Sequence, residues 1–247
     1  MKYEPRLSAD GTITLYSKEY DECYHSLQDG ALTEALFKHV KPAFSLVQKP
    51  HFRILDICFG LGINTLTTID YFLHGSHNIQ SIEIFSPELD SQLLEQLKDF
   101  SYPKPLKHYR EILLQLIENK VYKSKNIRVE LYIGDARAYV KNLHDIDIVY
   151  QDAFSPKKNP LLWTVEYFSD IAKLLSEEGV VTTYSIATPV RLAMFEVGLN
   201  IYELEREGIK KITIASKKEL PLKKIDMEMK KKRSTAKPLR DDMFEKI

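Results

Sequence analysis

One stretch constrains the fold more than any other. Phe52-Arg53-Ile54-Leu55-Asp56-Ile57-Cys58 reads as a short apolar strand, and Phe59-Gly60-Leu61-Gly62-Ile63-Asn64 turns it into a helix over 64–72. Gly60 and Gly62 are two of only nine glycines in the chain. Without Cβ atoms they let the backbone approach a ligand, and the helix start beyond them offers unpaired N–H groups. A strand, a glycine turn and a helix in that order make a nucleotide-type loop. The third glycine of the dinucleotide fingerprint and the Walker lysine are both missing, which tells against dehydrogenase and NTPase chemistry. The bland alternative is a tight turn that holds nothing.

The same alternation continues downstream. Strands are expected over 78–85, 127–133, 146–150 and 180–185, with helices over 87–100, from 136, over 163–175 and over 189–197. Gly179 is a plausible cap between the third of these helices and the last strand. An additional amphipathic helix is expected at 108–119. Two late strands, 200–206 and 211–216, joined at Glu207-Gly208, suggest an antiparallel hairpin. Short apolar strands alternating with helices imply an α/β fold, Rossmann-like, with a mostly parallel sheet covered on both faces. Three parts are expected: residues 1–50 as an extension packing on the core, 51–216 as the Rossmann-like domain, and 217–247 as a basic tail.

Composition fits that picture. With 44% hydrophobic and 28% charged residues the chain can bury a sizeable core. Cys23 and Cys58 are too few for a disulfide framework, and no apolar run suggests a leader or a membrane span, so a cytoplasmic protein is expected. Lys+Arg and Asp+Glu balance at 35 each, yet 217–240 holds ten basic residues against three acidic ones. Such a block is either an arm for a polyanion or a solvated tail.

Further candidates lie at the ends of the expected strands. Glu83, 23 residues after Gly60, is suited to holding ribose hydroxyls. Gly134-Asp135 would face the same crevice, with Asp135 near an adenine amino group or serving as a helix N-cap. The most specific segment runs from Tyr150 through Asp152, Phe154, Pro156, Asn159 and Pro160 to Trp163. A carboxylate followed by an aromatic and two prolines is a stiff platform, on which Asp152 could accept from an amine. Phe154 or Trp163 could face a cationic or planar group, although Trp163 is equally well explained as buried support. No metal site is expected, since His74 and His77 lack a third ligand. Ser155 and Ser185 lack a nucleophile elbow, and Cys58 reads as space-filling.

Taken together, Asp56-x-Cys58-Phe59-Gly60-x-Gly62-x-Asn64, Glu83, Gly134-Asp135 and Asp152-x-Phe154-x-Pro156-x-x-Asn159-Pro160-x-x-Trp163 resemble one family. It is the tRNA 5-methylaminomethyl-2-thiouridine methyltransferase (MnmC-like) family, in its single-domain form. Tyr24-His25-Ser26-x-x-Asp29-Gly30-Ala31-x-x-Glu34 and Arg206 to Ala215 extend the likeness over about residues 10–217. The resemblance implies a class I S-adenosylmethionine-dependent enzyme that methylates the aminomethyl group of a wobble uridine in the tRNA anticodon stem-loop. It implies cofactor contacts from Tyr24, Asp56, Gly60, Gly62, Asn64, Glu83, Gly134 and Asp135, and substrate contacts from His25, Phe154, Pro156, Asn159 and Trp163. Asp152 would sit beside the transferred methyl. Cys58 departs from the family pattern, which has glycine there. The FAD-dependent oxidase of two-domain members is absent, so coupling to a separate wobble-uridine modification enzyme is expected. Two rivals share the features: an aminopropyltransferase of the spermidine synthase type, and a non-catalytic RNA-binding adaptor.

Overall fold

The computed structural model describes residues 2–206 and 209–244; the expected Glu207-Gly208 turn lies outside them. A small antiparallel sheet comes first, β1 (Tyr3–Leu7), β2 (Ile13–Ser17) and β3 (Glu22–Cys23). One helical run follows, made of α1 (Ala31–Glu34), a wide π-helical turn (Ala35–Val40) and α2 (Lys41–Leu46). Then come β4 (His51–Ile57), α3 (Ile63–His74), β5 (Ser81–Glu88), α4 (Ser91–Leu97), α5 (Arg110–Asn119), β6 (Val121–Lys123) and β7 (Ile127–Ile133). They are followed by α6 (Ala136–Val140), β8 (Ile146–Gln151), α7 (Val165–Leu174), β9 (Leu175–Thr183) and α8 (Thr188–Glu196). The chain ends with β10 (Asn200–Arg206), β11 (Ile209–Ser216), β12 (Lys223–Lys224) and α9 (Met227–Arg233).

The main sheet runs β12-β10-β11-β9-β8-β4-β5-β7-β6. Its centre, β9-β8-β4-β5-β7, is parallel, and β10–β11 is the expected antiparallel hairpin. Period-two alternation sends Phe52 and Ile54 of β4 to one core, and Leu55 and Ile57 to the other. Helices α3 and α5 cover the first face, α7 and α8 the second. From β4 the chain winds to β5 and β7 on one side, then to β8 and β9 on the other. The loops leaving β4 and β8 therefore diverge, which opens a crevice at their carboxyl ends.

Three expectations are corrected. Strand β5 continues to Glu88 instead of yielding to a helix at Ser86-Pro87, because Pro87 and Glu88 stay in register with Tyr132 and Ile133 of β7. Helix α4 starts after Asp90, whose side chain accepts from the N–H groups of Gln92 (3.0 Å) and Leu93 (3.3 Å). Gly179 is no cap: it lies inside β9, at a register break where a Cβ would come within 2.9 Å of the Ile146 carbonyl. The basic segment is also ordered rather than frayed. Strand β12 adds to β10, Asp226 caps α9, and α9 buries Met227. The chain then returns so that the Leu239 carbonyl accepts from Val165, and Asp241 meets both guanidinium nitrogens of Arg137.

Candidate active site

A cavity of about 1140 Å³ opens at the carboxyl ends of β4, β5, β7 and β8, with the β2–β3 segment and the residues after it as its roof. Among the residues singled out from sequence, Tyr24, His25, Gly60, Asn64, Gly134, Asp135, Asp152, Phe154 and Asn159 line it. Asp56, Gly62, Glu83, Pro156 and Trp163 do not.

At one end the backbone does the shaping. Gly60 (φ 54°) and Gly62 (φ 70°) take left-handed conformations; a Cβ on Gly62 would strike the Phe59 ring at 2.7 Å. Cys58 takes the same left-handed conformation (φ 67°) with a side chain, so the loop carries strain there. Burial pushes its thiol well above the usual range, consistent with an inert, space-filling role.

Glu88 ties three loops together. Its carboxylate accepts from the N–H of Gly60 (2.8 Å) and of Asp90 (2.8 Å), and its carbonyl accepts from Gly134 (2.9 Å). Burial raises its carboxyl above the ordinary value, against the pull of those N–H donors. Glu83, by contrast, sits mid-strand beside Arg53 (3.1 Å), outside the cavity. The extra turn of strand is the reason: the residue at the end of β5 is Glu88. Asp135 accepts from the Arg137 N–H (2.8 Å) as the cap of α6 and still lines the cavity.

At the other end side chains do the shaping. Asp152 is nearly buried, with 9% of its side chain exposed. Asn64 donates to its Oδ2 (2.8 Å), and His39 Nε2 lies 3.4 Å from its Oδ1. The nearby His39 and His25 and the Asn64 bond hold its carboxyl below the ordinary range despite burial. Burial keeps His25 itself neutral to lower pH. Phe154 stacks on Tyr20 (4.4 Å between centroids) and leans on Tyr24 (4.8 Å). Trp163, fully buried, donates to the Phe154 carbonyl (2.8 Å), and Tyr184 donates to that of Ala153 (2.9 Å). Trp163 thus supports the Asp152 platform from beneath. Asp56 does the same for the floor, accepting from Thr65 (2.7 Å) and Asn64 (3.4 Å).

Sequence reasoning passed over Glu88, Tyr20, Tyr184, Lys38 and His39. The last two had a signal: adjacent polar residues in the apolar run Leu36 to Val40, with Lys38 four residues after Glu34. Lys38 is buried between Asp29 (2.8 Å) and Glu34 (2.7 Å) at the cavity wall.

Residues 85–219 match the family described as S-adenosyl-L-methionine-dependent methyltransferase. The chain belongs to that family. The methyltransferase is 35% identical to an uncharacterized protein of Methanocaldococcus jannaschii, over 84% of its own length and 58% of the relative's. It is 26% identical to the tRNA 5-methylaminomethyl-2-thiouridine biosynthesis bifunctional protein MnmC of Dichelobacter nodosus, covering 84% of this chain but 35% of that one. It therefore spans between about a third and three-fifths of these relatives. Among solved structures, MnmC2 from Aquifex aeolicus is similar at 32% identity with a TM-score of 0.84, covering 99% of this methyltransferase and 81% of that chain. Spermidine synthase from Thermotoga maritima, at 16% identity and a TM-score of 0.51 over 98% and 81% of the two chains, shares the fold alone.

The methyltransferase's cofactor is S-adenosylmethionine, and the cavity suits it. At about 1140 Å³ the cavity has room for a nucleoside joined to an amino acid. Gly60 leaves space where a Cβ would approach the Tyr24 ring at 3.2 Å, and carboxylates stand at two strand ends, Glu88 and Asp135. Among the described residues no three His, Cys, Asp or Glu side chains are grouped to hold a metal ion, and no helix is long and apolar enough to cross a membrane.

Proposed function

We propose that the chain methylates the aminomethyl group at C5 of the wobble uridine in tRNA, giving 5-methylaminomethyl(-2-thio)uridine. The observation that carries this reading is Asp152: a nearly buried carboxylate, bonded by Asn64 and faced by His39, that lines one cavity together with the glycine loop. An anionic oxygen there suits a nitrogen that gains positive charge during transfer. Similarity to MnmC of Dichelobacter nodosus and to MnmC2 of Aquifex aeolicus points to the same substrate class.

In this reading Glu88 takes the ribose role first given to Glu83, Asp135 the adenine end, and Gly60, Asn64, Gly134 and Tyr24 the rest of the cofactor. When bound, S-adenosylmethionine supplies a methyl carbon whose bond to sulfur breaks with the electron pair leaving on sulfur. Asp152 accepts a proton from the substrate ammonium and passes it to solvent, freeing the nitrogen lone pair, and then, anionic again, faces the cation formed. Phe154, Tyr20 and Tyr24 offer flat apolar faces for the uracil or a cation. His25 and Asn159 line the substrate side.

The basic segment supports a polyanionic partner. Lys230 and Arg233 of α9 border a shallow depression with Thr188, the first residue of α8 and two residues beyond cavity-lining Ile186. Asp226 shares that depression, and Lys210 and Lys211 line the cavity itself, so cationic side chains are available to phosphates of an anticodon stem-loop. A diamine substrate is less well served, because the acidic pair Asp29 and Glu34 is already engaged by Lys38, with Lys210 3.8 Å from Asp29.

The test is transfer of labelled methyl from S-adenosylmethionine to tRNA lacking this modification, with mass analysis of the nucleosides. Methylaminomethyl uridine is the expected product. Cofactor binding without labelled tRNA, and turnover of a diamine with decarboxylated cofactor, would replace this reading by the aminopropyltransferase one.

A further inference from the structure

His39 was singled out by no motif, yet it is fully buried against Asp152. Its Nδ1 lies 2.9 Å from Thr182 Oγ1 on β9, while its Nε2, 3.4 Å from Asp152 Oδ1, is buried without a hydrogen-bond partner. Of the two neutral tautomers, only one avoids a clash of lone pairs. If Nδ1 carried the hydrogen, Nε2 would turn a lone pair toward a carboxylate. With the Thr182 hydroxyl donating to Nδ1, the Nε2–H faces Asp152 instead. The other carboxylate oxygen is fixed by Asn64 at 2.8 Å. Asp152 thus has one oxygen bonded by Asn64 and the other faced by His39, and its remaining lone pairs are left for the cavity.

We propose that His39 is a positioning residue for methyl transfer: Thr182 sets its tautomer, and its Nε2–H orients the Asp152 carboxylate toward the substrate amine. The proposal rests on the reading of Asp152 given above and adds to it. The proton balance is simple. The ammonium nitrogen loses one proton to Asp152, which passes it to solvent; the neutral amine bonds the methyl carbon as the carbon–sulfur bond breaks with its electron pair going to sulfur, and the secondary ammonium formed keeps the two N–H protons of the amine that attacked. His39 gains and loses no atom in the cycle.

Charged and titratable groups from several elements face this pair. His25 comes from the roof, Asp56 and Cys58 from the end of β4, Tyr184 from beyond β9, and Asp152 itself from the end of β8. The Asp152 carboxylate raises the Asp56 carboxyl and the Cys58 thiol, so both stay uncharged beside it, whereas His25 and His39 favour its ionisation. Removing His39 shifts that balance in a known direction: the acid limb of the rate profile moves to higher pH.

Two variants and two readouts test this. His39→Asn and Thr182→Val are compared with wild type for kcat, KM and the pH profile of methyl transfer, with Thr182→Ser as the conservative rescue. The expected loss in kcat is about 10–100-fold for His39→Asn, below the full effect of a general base, with cofactor affinity unchanged. Thr182→Val gives a smaller loss in the same direction, and Thr182→Ser restores wild-type behaviour. Independently of any substrate, the Asp152 side-chain carboxyl is titrated by carbon NMR in the cofactor-free protein. Its midpoint rises in both His39→Asn and Thr182→Val. Unchanged midpoints, or lower kcat with an unmoved pH profile, would overturn the proposal. If wild type transfers no methyl to tRNA while the NMR midpoint still moves, the assignment of substrate fails and the His39 clamp stands. Should His39→Asn not fold, Thr182→Val carries the test alone.

Discussion

The ends of β4 and β8 are neighbours in the sheet, Asp56 pairing with Tyr150 and Ile57 with Gln151, and each delivers a buried carboxylate. Asn64 donates to both. Their chemistry nevertheless diverges. Burial, with the negative Asp152 nearby, pushes the Asp56 carboxyl up to about 7, against bonds from Thr65 and Asn64. At Asp152 burial acts in the same sense, yet His39, His25 and Asn64 outweigh it and the carboxyl is held down. Burial beside another carboxylate thus pushes a carboxyl toward its neutral form; burial with His39, His25 and Asn64 close by keeps one anionic. The β4 region is a scaffold for a loop, and the β8 region is a tool.

The largest way to break that contrast is Asp152→Asn, which keeps shape and removes charge. Turnover is expected to fall about 10²–10⁴-fold, while cofactor affinity measured calorimetrically stays within several-fold. A comparable loss of cofactor affinity would make Asp152 part of the scaffold as well. Glu88→Gln tests the other side. It weakens charge-assisted bonds to the loops and to the ligand, so cofactor affinity should drop about tenfold or more. Its kcat at saturating cofactor should stay close to wild type; a selective fall in kcat would move Glu88 into the reaction end.

Asp56→Asn sharpens the comparison through stability. A carboxyl with a folded value of about 7 against an ordinary 3.8 holds a proton that the unfolded chain has already released. Its favourable contribution is complete below about pH 4 and declines as pH rises through about 7. Urea midpoints of wild type should therefore fall between pH 5 and pH 8 more than those of Asp56→Asn. Asp152 has the opposite sign, its contribution being lost as pH drops below the usual carboxylate range. Parallel curves for the two proteins would mean that Asp56 is ionised at neutral pH. The smallest expected effect is that of Cys58→Gly. Relief of left-handed strain, about 1–3 kcal/mol, is offset by a more flexible unfolded chain, about 0.4–1 kcal/mol. A net gain of about 1 kcal/mol in thermal or urea unfolding, with affinity unchanged, is expected; a net loss would show that the Cys58 side chain packs better than its backbone suffers.

Much of this fold was legible because the central strands are short, apolar and bounded. Ile127–Ile133 forms β7 as read, and the strand, glycine turn and helix at 52–72 hold to within a few residues. Illegible features share a physical cause, which is tertiary pairing overriding local signal. Ser86-Pro87 looks like a helix start, but hydrogen bonding to β7 keeps it extended and brings Glu88, not Glu83, to the cavity. The basic run at 230–233 looks solvated, and the burial of Met227 and the docking of Leu239 and Asp241 were written in no pattern. Asp152 and Asp135 were legible as cavity-lining residues because they stand within two residues of strand ends, and Phe154 and Asn159 because they lie on the loop leaving β8, where open sheets meet ligands. His39 reaches the site from a helix, and nothing local marks the turn that aims it.

That turn, Ala35–Val40, has an arithmetic consequence. Glu34, Lys38 and His39 must look toward the cavity wall, while Pro42, Ala43 and Phe44 must look into the core. Successive residues of a regular α-helix are about 100° apart, so one residue more or fewer reassigns every later side chain to a different direction. The widened π-helical turn absorbs a residue and changes the phase between the two halves. Shortening it by one would leave an unbroken helix that can face its core partners or its reacting neighbours, not both. A single backbone unit is the gear that lets one rod mesh with two wheels.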